Sequence, residues 1–434
     1  MRAIVQRVYA NPAYSKVFEW GKLVTITASA QVIVQATSFI SGILVVRTLP
    51  TEEYALYTLA NTMLGTITLL ADGGISTGVM AEGRKVWQNP EKLGKVLVTG
   101  LNLRKKLAII SLLVFTPLLL FLLRHHHASW QTSILIILSL IPAFFTTLSG
   151  SLLQVPPKLH QDILPLQKNQ IWANILRLVV LVLTILVFPW AFIAILASGI
   201  PLVWTNLKLK KLSKQYVDWQ QNIDPEIQKE IFSFVKNILP LSIYYCISGQ
   251  ISIWLISFFG STTSVAQVGA ISRLSMLLTL FNVLINTLIT PRFARLSDNV
   301  QLVLTRYLQI ILGLVIICSA IIGLVWLFPS EVLWLLGNKY SNIQDEIIIS
   351  VAASCLGLIS GITFSLYTSR SWKINPVIAI SINVCATIIA ATLLDISTLK
   401  GILIFNVLIA LVQVVMNTIY ITNKIFSIPK ITNN

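Results

Sequence analysis

Twelve apolar runs leave this chain little choice of solvent. They lie near 22–46, 55–78, 103–123, 131–153, 167–188, 190–207, 235–259, 265–290, 308–328, 345–368, 375–394 and 399–422. Most approach the roughly 20 residues a helix needs to cross a bilayer's hydrocarbon core. Only 11% of the 434 residues are charged, against about 25% in a soluble domain. The chain reads as an all-α integral membrane protein of about 12 transmembrane helices. No cleavable signal peptide is visible, so the first helix is expected to stay in the mature protein.

A net charge of +16 raises the question of nucleic acid, and its distribution answers against it. The basic residues gather in alternate loops, as the positive-inside rule requires. Arg84, Lys85, Lys92, Lys95, Arg104, Lys105 and Lys106 follow the second run, and six lysines between 208 and 236 follow the sixth. Arg292, Arg295 and Arg306 follow the eighth. The opposite face keeps Arg47, Arg124, Lys339 and Lys400, with Arg273 as a further candidate. Both termini are therefore expected in the cytoplasm, with the partner the lipid bilayer and not nucleic acid.

The longest polar interval falls at mid-chain. It divides the sequence into an N-terminal six-helix lobe (1–207), an amphipathic cytoplasmic linker (208–234) and a C-terminal six-helix lobe (235–434). Sliding one half on the other by 211 residues places Thr51 on Thr262, Ala55 on Ala266 and Arg84 on Arg295. An even helix count per copy makes such repeats parallel, with an axis along the membrane normal.

Polar residues inside the runs are the candidate site, because lipid cannot satisfy them. Thr27, Gln31, Gln35, Ser38 and Gly42 share one face of the first helix. Thr58, Asn61, Thr62, Gly65, Asp72 and Ser76 share a face of the second, within about 100°. Ser275, Thr279, Asn282, Asn286 and Thr290 form a stripe on the eighth, and Ser242, Tyr245, Gly249 and Ser252 a weaker one on the seventh. The four stripes are expected to line a central cleft between the lobes. Small and amide residues also glue helices together without any cavity.

Arg273 is the costliest residue to place, at roughly 2.5–3.5 kcal/mol for a charge at membrane depth. It points roughly 140° away from the stripe around Asn282, so either the helix is distorted or the side chain snorkels. Arg177, on one face with Gln170 and Asn174, lines the N-terminal lobe or serves an interhelical partner. Arg47 stands beside Glu52 and Glu53, poised for an ion pair or for phosphate. Asp72 is the carboxylate deepest in an apolar run and is a candidate for ion coupling or for a gate. His125, His126 and His127 read as a solvated turn, since adjacent residues diverge on a helix, and no metal or cofactor is implied. Cys246, Cys318, Cys355 and Cys385 read as small core residues.

One stretch also resembles a known family. Arg47, Leu49, Glu52, Glu53, Tyr54 and Tyr57 form a turn after the first helix, and Asp72-Gly73-Gly74-Ile75-Ser76 ends the second. The pattern is similar to the O-antigen type polysaccharide flippases of the multidrug/oligosaccharidyl-lipid/polysaccharide exporter superfamily; Ala55 stands where members often have Gly. The resemblance implies two lobes around a cleft in a bacterial inner membrane. It also implies a lipid-linked oligosaccharide substrate on undecaprenyl pyrophosphate, alternating access, and glycan polymerase machinery as a partner. Cavity arginines would then hold the pyrophosphate. A multidrug exporter of the same superfamily is the nearest alternative, and a membrane glycan polymerase or ligase the next. The outward loops are short and no acid–base cluster appears, so no enzyme is expected.

Overall fold

The computed structural model describes residues 12–428 apart from 371 and 373. It describes their side chains apart from those of 12–24, 26, 237–242, 245, 246, 287 and 291. Among the described residues there is no strand. The first half comprises α1 (Pro12–Thr48), α2 (Thr51–Asp72), α3 (Ile75–Val86), α4 (Pro90–His125), α5 (Trp130–Leu153), α6 (Val155–Leu159), α7 (Ile163–Ile185) and α8 (Ala191–Ser213). The second comprises α9 (Pro225–Phe259), α10 (Thr262–Leu288), α11 (Thr290–Ala294), α12 (Val300–Leu327), α13 (Pro329–Leu336), α14 (Gln344–Ser369), α15 (Pro376–Leu393) and α16 (Leu399–Phe426).

Ten described helices are long and apolar enough to cross a membrane, and the bent pair α2–α3 makes an eleventh. The remaining expected span is α9, whose described apolar stretch is Ile247–Phe259. Leu113, Leu183, Val377 and Leu393 are each more than two-thirds exposed, as side chains facing lipid must be.

Two helices run well past their apolar runs, and their starts explain why. Asn89 accepts hydrogen bonds from the backbone N–H of Glu91 and Lys92, both at 3.0 Å, with Pro90 at the first helical position. Asp224 accepts from Glu226 at 2.9 Å, ahead of Pro225. Each polar cap satisfies the free N–H groups of a first turn, and proline loses nothing there. The basic stretch before the third run is therefore helix, not loop. Likewise 208–213 finishes α8 and 225–234 opens α9, with 214–224 as the connection between them. That connection is anchored: Val217 is buried with Leu93 and Val96 on α4, and Asp218 N–H donates to Pro90 O at 3.1 Å.

α1 packs on α7, and α5 and α7 on α8, to build one lobe. α14 packs on α10, α12 and α16 to build the other. The lobes meet where α10 lies on α1 and α2, and α9 on α2, α3 and α4. One apolar core runs through this seam, from Val46, Tyr54 and Ala60 to Ile256, Ala266 and Ile271. Thr51 and Thr262, the aligned residues of the two halves, each open a helix at the same side of the seam.

Candidate functional site

The break between α2 and α3 is a bend of 40°. Gly73 and Gly74 take φ of 48° and 93°, a left-handed region in which any side chain would be strained. The bend frees Asp72 to serve the next helix. Its carboxylate accepts from Ser76 Oγ at 2.7 Å and from Ser76 N–H at 3.3 Å.

Arg104 completes the cluster from α4. It is buried, forms an ion pair with Asp72, and donates to the Leu148 carbonyl and, at 2.6 Å, to Ser76 Oγ and Ser151 Oγ. Sequence reading assigned Arg104 to the basic surface with Lys105 and Lys106. The helical start at Pro90 turns it inward instead, while its two neighbours stay exposed. The charge of Asp72 is thus already matched inside one lobe.

Arg273 lies at the seam. Its guanidinium reaches Tyr54 Oη at 3.4 Å and stands 5.7 Å from the Tyr57 ring centroid. Its methylenes press on Gly42 of α1, where an added Cβ would sit 3.2 Å from Cδ. The rings of Tyr54 and Tyr57 are stacked 5.9 Å apart and give the cation an aromatic wall. No carboxylate pairs with Arg273 among the described residues. No distortion of the helix is needed: Ser275, on the far side of α10, faces the interior of its own lobe and bonds Ser354 of α14 at 2.7 Å. The wheel separation of Arg273 from the stripe is real, and it is Arg273 that faces the seam.

Several stripe residues turn into the lobes. Gln31 donates to Gln170 at 3.2 Å and Ser38 to Asn174 at 3.0 Å, joining α1 to α7. Ser252 bonds Asn406 of α16. A cavity of about 210 Å³ adjoins Asn406, its mixed lining including Val268, Ser272, Ser275, Ser354 and Leu403. Gln35 lies half-buried one turn from Gln31 and Ser38. Asn61 donates to Tyr57 O at 2.8 Å and Asn286 to Asn282 O at 3.0 Å, each within its own helix. Arg177 lies one turn beyond Asn174, its Nε buried without a partner. Ser242 and Tyr245 lie outside the described side chains.

Both loops beyond Arg273 tie the lobes together. Arg47 donates to the Trp334 carbonyl at 2.6 Å and lies 4.5 Å over its ring, rather than pairing with Glu52 or Glu53. Glu53 instead caps α8, accepting from Ala191 N–H at 2.6 Å. Lys339 bonds the Leu49 carbonyl. His126 is buried, not solvated, with Nδ1 3.0 Å from Thr262 Oγ1 and Nε2 3.0 Å from the Ser257 carbonyl. Below them Gly269 meets Thr58 so closely that a Cβ would overlap its side chain. No group of His, Cys, Asp or Glu suited to a metal occurs among the described residues. Cys318 and Cys355 are buried, Cys385 is exposed, and the Cys246 side chain lies outside the described set.

No protein-family model and no curated protein matches the chain. Solved structures do. An inward-facing multidrug resistance MATE family transporter of the MOP superfamily superposes with a TM-score of 0.68 at 18% identity, over 92% of this chain and 96% of that one. The outward-facing conformation of such a transporter gives 0.63 at 18%, over 94% and 96%. The lipid II flippase MurJ, in an inward closed conformation, gives 0.75 at 14%, over 92% and 89%. The chain thus has the fold that these drug transporters and this lipid flippase share.

Proposed function

We propose that the chain is a flippase of the exporter superfamily to which that fold belongs. It carries a lipid-linked oligosaccharide, on undecaprenyl pyrophosphate, from the cytoplasmic to the outer leaflet of a bacterial inner membrane. The observation that carries this reading is the charge left at the seam. Arg273 is held between the lobes with no carboxylate partner among the described residues, while the charge of Asp72 is taken by Arg104. An unneutralised guanidinium suits a pyrophosphate, whose oxygens it can meet with a planar fork. Arg177, with its unpartnered Nε, adds a second cation inside the N-terminal lobe. Rocking of the lobes 1–207 and 235–434 about the seam passes the glycan while the lipid tail stays in the bilayer. The charge asymmetry of the loops supports a cytoplasmic side for both termini and for the 208–234 interval. Gln35 and Asn61 are the polar groups nearest the seam that a sugar would meet, while Gln31, Asn282 and Asn286 would reach it only once the lobes rock apart, and glycan polymerase machinery would receive the product.

The second reading, export of organic cations, draws support from the likeness to drug transporters. The matched charge of Asp72 weighs against it, because a cation site needs a carboxylate to spare. Glycan export in a strain lacking its own flippase separates the two. Arg273→Lys is expected to keep partial export, Arg273→Ala to lose at least about tenfold, and Arg273→Glu to lose all of it. Normal export by Arg273→Ala at equal abundance would remove Arg273 from the site, and failure of the native protein to export glycan, with altered tolerance to organic cations, would favour the drug exporter.

A further inference from the structure

Away from the seam, a crevice of about 730 Å³ opens between α10–α11 and α12. α2 packs along α4 in the first lobe, but α10 and α12 form no such sustained pair. Phe281, Leu284 and Ile285 line one wall, and Ile310, Leu314 and Ile317 the other. Leu284 and Ile317 remain 38% and 37% exposed, so the crevice opens towards the bilayer. Gly313 widens it: an added Cβ there meets nothing within 4 Å.

The two ends of the crevice differ in chemistry. Arg292, on α11, and Arg306, in the second turn of α12, both line the crevice. Arg306 is hydrogen-bonded to Gln309 at 3.0 Å, and neither arginine has a carboxylate partner among the described residues. Beyond Gln309 the lining of α12 is apolar. From Arg306 to Ile317, α12 rises about 16 Å at about 1.5 Å per residue. That is half of a hydrocarbon core about 30 Å thick, the depth of one leaflet.

We propose that this crevice is a binding site for an anionic phospholipid of the leaflet on the basic side. The arginine pair takes the phosphate and the apolar walls take the acyl chains. Basic pockets between transmembrane helices hold anionic headgroups by the same combination of charge and hydrogen-bond donors. The substrate's own carrier is the other phosphate lipid available, and two features point away from it. A cleft one leaflet deep has no room for a long polyprenyl tail. Phe281 and Ile285 also lie roughly 120° round α10 from Gly269 and Arg273 at the seam. The inference does not rest on what the seam transports.

The test uses the full-length protein purified in detergent, with bound lipid read by native mass spectrometry. Phosphatidylglycerol and phosphatidylcholine with identical acyl chains are the probes. Phosphatidylglycerol is expected to be retained at least about tenfold more, and Arg292→Gln/Arg306→Gln to abolish that preference. Gly313→Trp, which fills the crevice, is expected to lower phosphatidylglycerol occupancy several-fold. Arg84→Gln/Lys105→Gln, which removes equal charge from the first lobe, is expected to leave it unchanged. Equal retention of the two lipids by the native protein would overturn the proposal, as would an unchanged preference in the arginine variant. Displacement of phosphatidylglycerol by undecaprenyl phosphate, lost in Gly313→Trp, would reassign the crevice to the carrier. Lipid occupancy is read without transport, so failure of glycan export leaves this result standing.

Discussion

Arg104 and Asp72 show how one buried pair constrains what a mutation can do. Removing one partner of a buried ion pair leaves an uncompensated charge and costs about 3–5 kcal/mol, whereas replacing both by apolar groups is often neutral. Asp72→Asn is therefore expected to destabilise the protein by about 3 kcal/mol through Arg104. Asp72→Asn combined with Arg104→Met is expected to recover most of that loss, as measured by thermal unfolding in detergent. A double variant no better than the single would show that Asp72 acts through something other than Arg104. The acidic residue was legible in the sequence as a charge needing a partner; the partner was not. Arg104 sits in a run with Lys105 and Lys106 that reads as solvated surface. Only the Asn89-Pro90-Glu91 cap signals that a helix has already begun and that one residue in three or four must turn inward.

At the scale of elements, α2 and α10 approach as closely as a bare glycine allows. Gly269→Val places a side chain into Thr58, a stiff β-branched neighbour. The variant is expected to part the seam, lowering the yield with which a bifunctional thiol reagent joins Arg47→Cys to Trp334→Cys. Unchanged yield would show that the helices slide rather than separate. His126 gives the same seam a dependence on pH. Burial, and the nearby charge of His125 and His127, lower its pKa, while its hydrogen bond to Ser257 partly opposes them. Once the seam parts and water reaches the ring, its pKa returns towards about 6.5. The parted state then binds more protons, so closure is at full strength above about pH 6.5 and weakens as pH falls towards the depressed value. Cross-linking yield is expected to fall between about pH 7.5 and 5.5, and His126→Gln to flatten that profile. The turn holding His126 reads as solvent-exposed because a run of three histidines carries no periodicity. Its burial depends on the last turn of α9, 131 residues further along the chain, which no local pattern encodes.

For the whole molecule, spans and seam were legible and the direction of the stripes was not. Hydropathy places the helices because the bilayer imposes one length on all of them. The first two helices do meet α9 and α10, but through an apolar core and not through matched polar faces. Which way those faces turn is a separate matter: α1 touches both α7 and α10, and a stripe about 100° wide can serve only one. Gln31 and Ser38 chose α7. Charge asymmetry then sets orientation, giving a prediction for the intact protein in cells. Impermeant thiol labelling from outside is expected to reach cysteines placed between Ser261 and Val265 and to spare those between Lys208 and Lys236. Labelling of the second set from outside would invert the whole arrangement.

The pairing of Asp72 with Arg104 also bears on how the chain is made. The two residues are 32 positions apart and on successive spans. While the bent second span leaves the ribosome, its carboxylate has no counter-charge, and the matching guanidinium has yet to be synthesised. Releasing either span alone into lipid would expose a charge at a cost of roughly 2.5–3.5 kcal/mol. The cheaper course is to hold the second span at the insertion machinery until α4 arrives, and to release the two as a neutral hairpin.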